Sequence, residues 1–213
     1  LSEDELEEIL NDIEHHCFKK DDIICLEGSH LSNLIIVSHG TIKLSKTTHE
    51  GKDQIIRILS AGEFFGELSL FNDKYVTNFA ATAVGDVCIC IISKKNMHTV
   101  LAQNCNITLK ILNEVSKKLM ETENLATNLA TNDIEHRIIC MLLEFVDKYG
   151  IYENGLLEVD LPLSREGMAN YVGVTRESIS RKLSKFEQDG LFELKGVKHL
   201  IIKDLDKMKK FVE

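Results

Sequence analysis

The chain lacks most of the features that would assign it quickly. Its six cysteines, at 17, 25, 88, 90, 105 and 140, form no Cys-x-x-Cys pair and no dense framework. That excludes a small disulfide scaffold and makes a reduced, cytoplasmic setting the simplest expectation. No apolar run approaches the ~18 residues of a membrane span. Stretches such as IICMLL at 138–143 are core-sized, no signal peptide is visible, and no membrane partner is expected. There is no nucleophile–base motif, Walker loop or HExxH, so catalysis is not expected and no metal ligand set is assigned.

What is present fits a globular protein of 213 residues, 44% hydrophobic and 28% charged, long enough for two domains. The net charge of −9 is unevenly divided. Residues 164–210 hold 11 Lys+Arg against 7 Asp+Glu, whereas residues 1–137 hold 13 against 21. The positive charge is concentrated near the C-terminus, as a phosphate-facing surface requires.

Residues 164–190, SREGMANYVGVTRESISRKLSKFEQDG, read as two short helices around a tight turn. Ser164 is a candidate N-cap, Gly173 supplies the turn, and Thr175 caps a second helix that runs to Gly190. Met168, Ala169 and Val172 face inward from the first helix; Ile179, Leu183 and Phe186 do so from the second. Arg176, Glu177, Ser180, Arg181 and Lys185 are left on the outer face. Arginine forks pair both acceptors of guanine, carboxylates accept from cytosine, and a serine hydroxyl meets thymine or adenine, so the face suits a DNA major groove. Arg176, Glu177, Ser180 and Arg181 are the candidate base readers. Ser164, Arg165, Thr175, Ser178 and Lys185 are candidates for backbone contacts. The bland alternative for Glu177 and Arg181 is a solvated i,i+4 pair.

Upstream, LSEDELEEIL reads as an amphipathic helix, after which the period changes. Gly28, Gly40, Gly51 and Gly62 recur at gaps of 12, 11 and 11 and separate short β-branched runs, NLIIV, TIKL and QIIRIL. This spacing predicts an antiparallel β-sandwich or roll, with DVCICIIS as a further strand after Gly85. From Asn104 the pattern turns helical and proline-free. Leu112, Val115, Leu119, Thr122, Ala126 and Leu129 alternate gaps of three and four, a coiled-coil seam. TNDIEHRIICMLLEFVDKYG reads as another helix, with Asn132–Asp133 as the hinge before it. LFELKGVKHLIIKDL reads as a two-stranded wing turning at Gly196, its Lys195 and Lys198 able to reach phosphates; a short helix closes the chain.

FFGELSLF at 64–71, the glycine-punctuated strands before it and the later helix-turn-helix together resemble the CRP/FNR superfamily of bacterial transcription factors. The likeness covers nearly the whole chain in order. It implies an α+β fold: a cupin-like antiparallel β-roll over 1–103, a dimerisation helix and hinge over 104–132, and a winged helix-turn-helix over 133–213. It also implies a homodimer on double-stranded DNA, with RNA polymerase as a further partner. TRESISR carries the family's Arg-Glu-x-x-x-Arg arrangement. Ser180 is typical of the FNR branch, so a palindrome of TGA-type, TTGAT-like half-sites is expected.

In cyclic-nucleotide-binding members the Gly-Glu-Leu segment, here Gly66, Glu67 and Leu68, holds a ribose hydroxyl, and an Arg-Ser pair clamps the phosphate. That pair falls on Thr77 and Asn78, which supply only neutral hydrogen bonds. Thr122 and Glu123 align where those members use Thr and Ser to reach the base. The expected effector is therefore a small molecule other than cyclic AMP, in a site bounded by Glu67, Thr77, Asn78 and Thr122, and no cofactor is assigned. A redox, haem or metal sensor is the alternative, since Cys88 and Cys90 share one strand face and His15, His16, Cys17 and Cys25 cluster near the start. Against it, Cys88, Cys90 and Cys140 read more readily as small core residues. A chain controlled by its own abundance, and a cyclic-nucleotide-binding regulatory subunit, complete the alternatives; the last has no use for residues 164–203.

Overall fold

The computed structural model describes residues 13–48, 51, 53–131, 133–153 and 155–212, with 121 and 124–131 as backbone only. The amphipathic helix expected over 1–10 lies outside the described residues. The chain forms two compact units, Leu1–Thr122 and Glu123–Glu213.

The described residues of the first unit form eight strands: β1 (Glu14–Phe18), β2 (Ile23–Cys25), β3 (Asn33–His39), β4 (Thr41–Thr47), β5 (Asp53–Ser60), β6 (Phe64–Phe65), β7 (Ala80–Ala83) and β8 (Val87–Ser93). They pair antiparallel into two four-stranded sheets, ordered β1-β8-β3-β6 and β2-β7-β4-β5. The run NLIIV is apolar throughout because both of its faces are covered. Ile35 and Val37 point between the sheets with Ile42, Leu44, Leu59, Phe65, Ala81, Ala83, Val87 and Ile89. Leu34 faces the other way and packs with Phe64, Leu70, Ile92 and Met97, with Ile36 half-buried against them. The second cluster is closed by helices α1 (Glu67–Phe71) and α2 (Lys94–Gln103) and by Ile107 and Ile111 of the long helix α3 (Cys105–Thr131).

The four evenly spaced glycines all take positive φ. At Gly40 the turn demands it twice over, because a Cβ there would sit 2.3 Å from the Asp86 carbonyl oxygen.

The second unit holds α4 (Ile134–Tyr149), β9 (Gly150–Glu153), β10 (Leu156–Asp160), α5 (Arg165–Val172), α6 (Arg176–Gln188), β11 (Phe192–Lys195), β12 (His199–Ile202) and α7 (Leu205–Lys210). Ile138, Ile139, Met141, Leu142 and Phe145 of α4, Met168, Ala169 and Val172 of α5, and Ile179, Leu183 and Phe186 of α6 are all buried. The wing is larger than the two strands expected. β11 and β12 continue through β10 to β9 in one four-stranded antiparallel sheet. The additional hairpin pairs Glu153 with Leu156, so only Asn154 and Gly155 separate its strands. Asn-Gly between strands is a strong two-residue turn signal.

The expectation of six reduced cysteines is overturned. Cys17 and Cys88 form a disulfide with an S–S distance of 2.02 Å. The reason is register: β1 and β8 run antiparallel with Cys17 directly opposite Cys88. Cys90 and Cys140, also read as core thiols, are only half-buried, and burial pushes the Cys25 and Cys140 thiols above their ordinary range.

Candidate DNA interface and effector site

The helix-turn-helix is assembled from local capping. The Ser164 hydroxyl accepts from Gly167 N at 3.1 Å and starts α5. Gly173 ends α5 in the left-handed region at φ 77°, its amide donating to the Ala169 carbonyl at 2.9 Å. Thr175 then caps α6: its Oγ1 accepts from Ser178 N at 3.2 Å and donates to Ser178 Oγ at 3.0 Å. Thr175 and Ser178, both candidate backbone contacts, are thus engaged in holding the helix start.

Burying Ile179, Leu183 and Phe186 turns the opposite side of α6 outward. Arg176, Glu177, Ser180 and Arg181 are all exposed there. Among the described residues, no ion pair engages Arg176, Glu177 or Arg181. Lys185 differs. Glu135 of α4 accepts from it at 2.9 Å and also from Lys182. These bonds hold the Glu135 carboxyl below its usual range and raise the Lys185 ammonium. Lys185 therefore anchors α6 to α4. Arg165 is half-buried, and loss of hydration lowers its guanidinium against the opposing pull of Glu187. Lys195 and Lys198 flank the exposed Gly196 turn and remain exposed. Behind that turn, His199 places Nδ1 2.8 Å from Asp160 and Nε2 2.7 Å from Glu158. Those two bonds, the one to Asp160 first, hold the ring protonated above its ordinary range.

The residues expected around an effector are arranged differently from one another. Gly66 is buried in the left-handed region at φ 91°, and a Cβ there would come 2.4 Å from the Asn33 carbonyl oxygen. It starts α1 and brings Glu67 inward. Glu67 has an internal partner that the sequence does not announce: Lys118 of α3 lies 3.1 Å from its Oε1. The same ammonium donates to the Phe64 carbonyl at 2.7 Å and sits 3.8 Å above the Phe64 ring. Both partners are nearly buried, at 12% and 15% side-chain exposure. Burial lowers the Lys118 pKa while Glu67 pulls it up.

Leu68, by contrast, points to solvent at 56% exposure. Thr77 is 1% exposed, and its hydroxyl donates to the Leu26 carbonyl at 2.8 Å and accepts from Ser29 N at 3.2 Å. It closes the 26–29 turn and has no free face for a ligand. Asn78 is exposed. Thr122 donates to the Lys118 carbonyl at 2.8 Å and receives Arg57 Nη2 at 3.4 Å. Glu123 is exposed and falls in the second unit. Arg57 and Lys118 are thus the cations at this site. Lys118 stands one turn before Thr122 on the same helix face, the only signal in the sequence that could have flagged it. Among the described residues, no group of three or more His, Cys, Asp or Glu side chains is placed to hold a metal ion.

On α3, Leu112 and Leu119 are 59% and 60% exposed and Val115 is half-buried. Leu109 and Met120 add further apolar surface beside them. The Ala126 and Leu129 side chains lie outside the described residues.

Two families match the chain: the cyclic nucleotide-binding domain over residues 15–104 and the Crp-like helix-turn-helix domain over residues 136–211. The chain belongs to the CRP/FNR superfamily of transcription regulators. It is similar to the CRP-like cAMP-activated global transcriptional regulator of Mycobacterium tuberculosis, with 26% identity over 90% of this chain and 84% of that protein. It is also similar to regulatory protein HlyX of Actinobacillus pleuropneumoniae, with 26% identity over 98% of this chain and 86% of the relative. Two solved structures share the CRP/FNR fold. FixK2 from Bradyrhizobium japonicum has a TM-score of 0.82 at 19% identity, covering 94% of this chain and 98% of its own. A CooA mutant from Carboxydothermus hydrogenoformans has a TM-score of 0.83 at 21% identity, covering 97% and 90%. The expected α+β architecture, a β-roll followed by a winged helix-turn-helix, is the one this superfamily member has. No described helix is long and apolar enough to cross a membrane.

Proposed function

We propose that this CRP/FNR regulator acts as a homodimer on a palindrome of TTGAT-type half-sites, with α6 in the major groove and an effector other than cyclic AMP. The observation that carries the reading is the outer face of α6. Two guanidinium groups and a carboxylate stand exposed on a helix whose other side is buried and whose start is capped. Arg181 pairs with guanine, Glu177 with cytosine or adenine, and Arg176 and Ser180 complete the half-site. Lys195 and Lys198 at the wing tip and the start of α5 at Ser164 meet backbone phosphates.

The uncovered leucines of α3 support the dimer, and regulators of this family bind DNA as dimers. The exclusion of cyclic AMP rests on two contacts. Thr77 stands where a phosphate-binding guanidinium would be needed, and Glu67 is held by Lys118 where a ribose hydroxyl would need it. A sensor domain of this composition takes an effector whose chemistry suits Arg57 and Thr122. Titrating the protein against TTGAT palindromes and scrambled duplexes over a range of salt checks the reading. Binding should favour the palindrome by roughly 10³-fold or more, and log K should fall linearly with log salt. Equal affinity for both duplexes would remove base reading.

A further inference from the structure

The outer face of the β1–β8 pair carries chemistry that DNA recognition does not use. Along β1, His15 and Cys17 point the same way; along β8, Cys88 and Cys90 do, while Val87 and Ile89 point into the core. The register sets Cys17 opposite Cys88 and His15 opposite Cys90. The first couple is joined as a disulfide, and in the second Cys90 Sγ lies 3.4 Å from His15 Nδ1. Among the described strands β1 pairs with β8 alone, at the edge of its sheet, and Glu14 through Cys17 are exposed. An external sulfur can therefore reach the bond without the roll opening.

We propose that Cys17 and Cys88 are a thiol–disulfide exchange site whose reactants are low-molecular-weight thiols and their disulfides. A transcription regulator shares its compartment with DNA and with the reducing thiol pool, where disulfides that persist are rare and those that form are mostly transient or sensing. A bond this accessible cycles with that pool. In reduction, an external thiolate attacks Sγ of Cys17, the more exposed residue of the two, and Cys88 leaves as a thiolate that takes a proton from water. A second external thiolate attacks the external sulfur of the mixed disulfide. It releases Cys17 as a thiolate and carries away an external disulfide, so two thiols supply the two electrons. Oxidation runs the same steps backwards, with the external disulfide as oxidant. The protein alternates between an edge strand stapled across 71 residues of chain and one held by the β1–β8 ladder alone.

The test uses the full chain purified without reductant. Thiol titration under denaturing conditions should find four reactive cysteines out of six, and peptide mapping should place the bond between Cys17 and Cys88. In glutathione buffers stepped from reducing to oxidising, the native protein should pass through one transition involving those two sulfurs. A mixed disulfide with glutathione should accumulate on Cys17 in Cys88→Ser, and Cys90→Ser should keep the Cys17–Cys88 bond. Six reactive thiols, a bond to another cysteine, loss of the bond in Cys90→Ser, or a bond in native wild-type protein that no glutathione ratio opens would each overturn the proposal. The wild-type titration decides the matter even where a variant does not fold.

Discussion

A chain carrying Leu112→Glu and Leu119→Glu is expected to be monomeric at micromolar concentration and to bind a palindrome roughly 10²–10⁴-fold more weakly than wild type. Both leucines stand on the outer side of α3, more than half exposed within one chain. Burying a leucine against a twofold copy contributes about 1.5–3 kcal/mol. Two positions on each of two helices make this the largest stabilising contact proposed for the assembly. The substitutions replace it with four carboxylates facing one another across a narrow seam. Because the same side chains contact solvent in the single chain, the roll itself should keep its fold. Sedimentation and circular dichroism check the two halves of this expectation. A double variant that stays dimeric would show that the copies meet elsewhere.

The second large effect is at Arg181. Removing it should weaken binding to the cognate half-site by about 1–3 kcal/mol, or roughly 5–150-fold, and relax the choice of base at the guanine. Arg181 is exposed, and among the described residues it has no ion-pair partner to lose, so folding should be undisturbed. Lys185→Ala should behave differently, since Lys185 is bonded to Glu135 and its loss loosens the α4–α6 contact before it touches DNA. Competition titrations with each base at the guanine position separate the two. An Arg181→Ala protein weakened equally on every sequence would place the residue on the backbone.

Much of this architecture is legible in local sequence. Glycines at near-constant spacing mark turns because each needs a positive φ, and NLIIV is apolar on both faces because both are buried. The helix-turn-helix is legible for the same reason: Ser164, Gly173 and Thr175 bond to backbone groups within four residues of themselves. What the sequence conceals is contact across distance. Cys17 meets Cys88 only because β1 and β8 pair in one register, and no spacing announces that pairing. Lys118 reaches Glu67 across 51 residues, and Lys185 reaches Glu135 across 50, so neither ion pair follows from periodicity. The β9–β10 hairpin is a different case. Asn154-Gly155 was a readable signal, and it sits in a stretch between two strongly helical segments whose pattern overshadowed it.

The effector side of the molecule follows the same logic. A carboxylate already bonded to a nearly buried lysine is a poor partner for a sugar hydroxyl, because the incoming group must displace a charge-assisted bond. A hydroxyl closing a backbone turn is likewise engaged. The cation left facing Thr122 is Arg57, since Lys118 is already bonded to Glu67 and to the Phe64 carbonyl.

Methylation interference on a bound palindrome reports base reading itself, because a methyl group on guanine N7 blocks the acceptor that an arginine fork needs in the major groove. Interference is expected at the guanine of both half-sites, one helical turn or ~34 Å apart, and is expected to be lost at those guanines in Arg181→Ala. Binding that tolerates N7 methylation throughout the site, or interference confined to one half of it, would contradict a twofold pair of α6 helices reading bases.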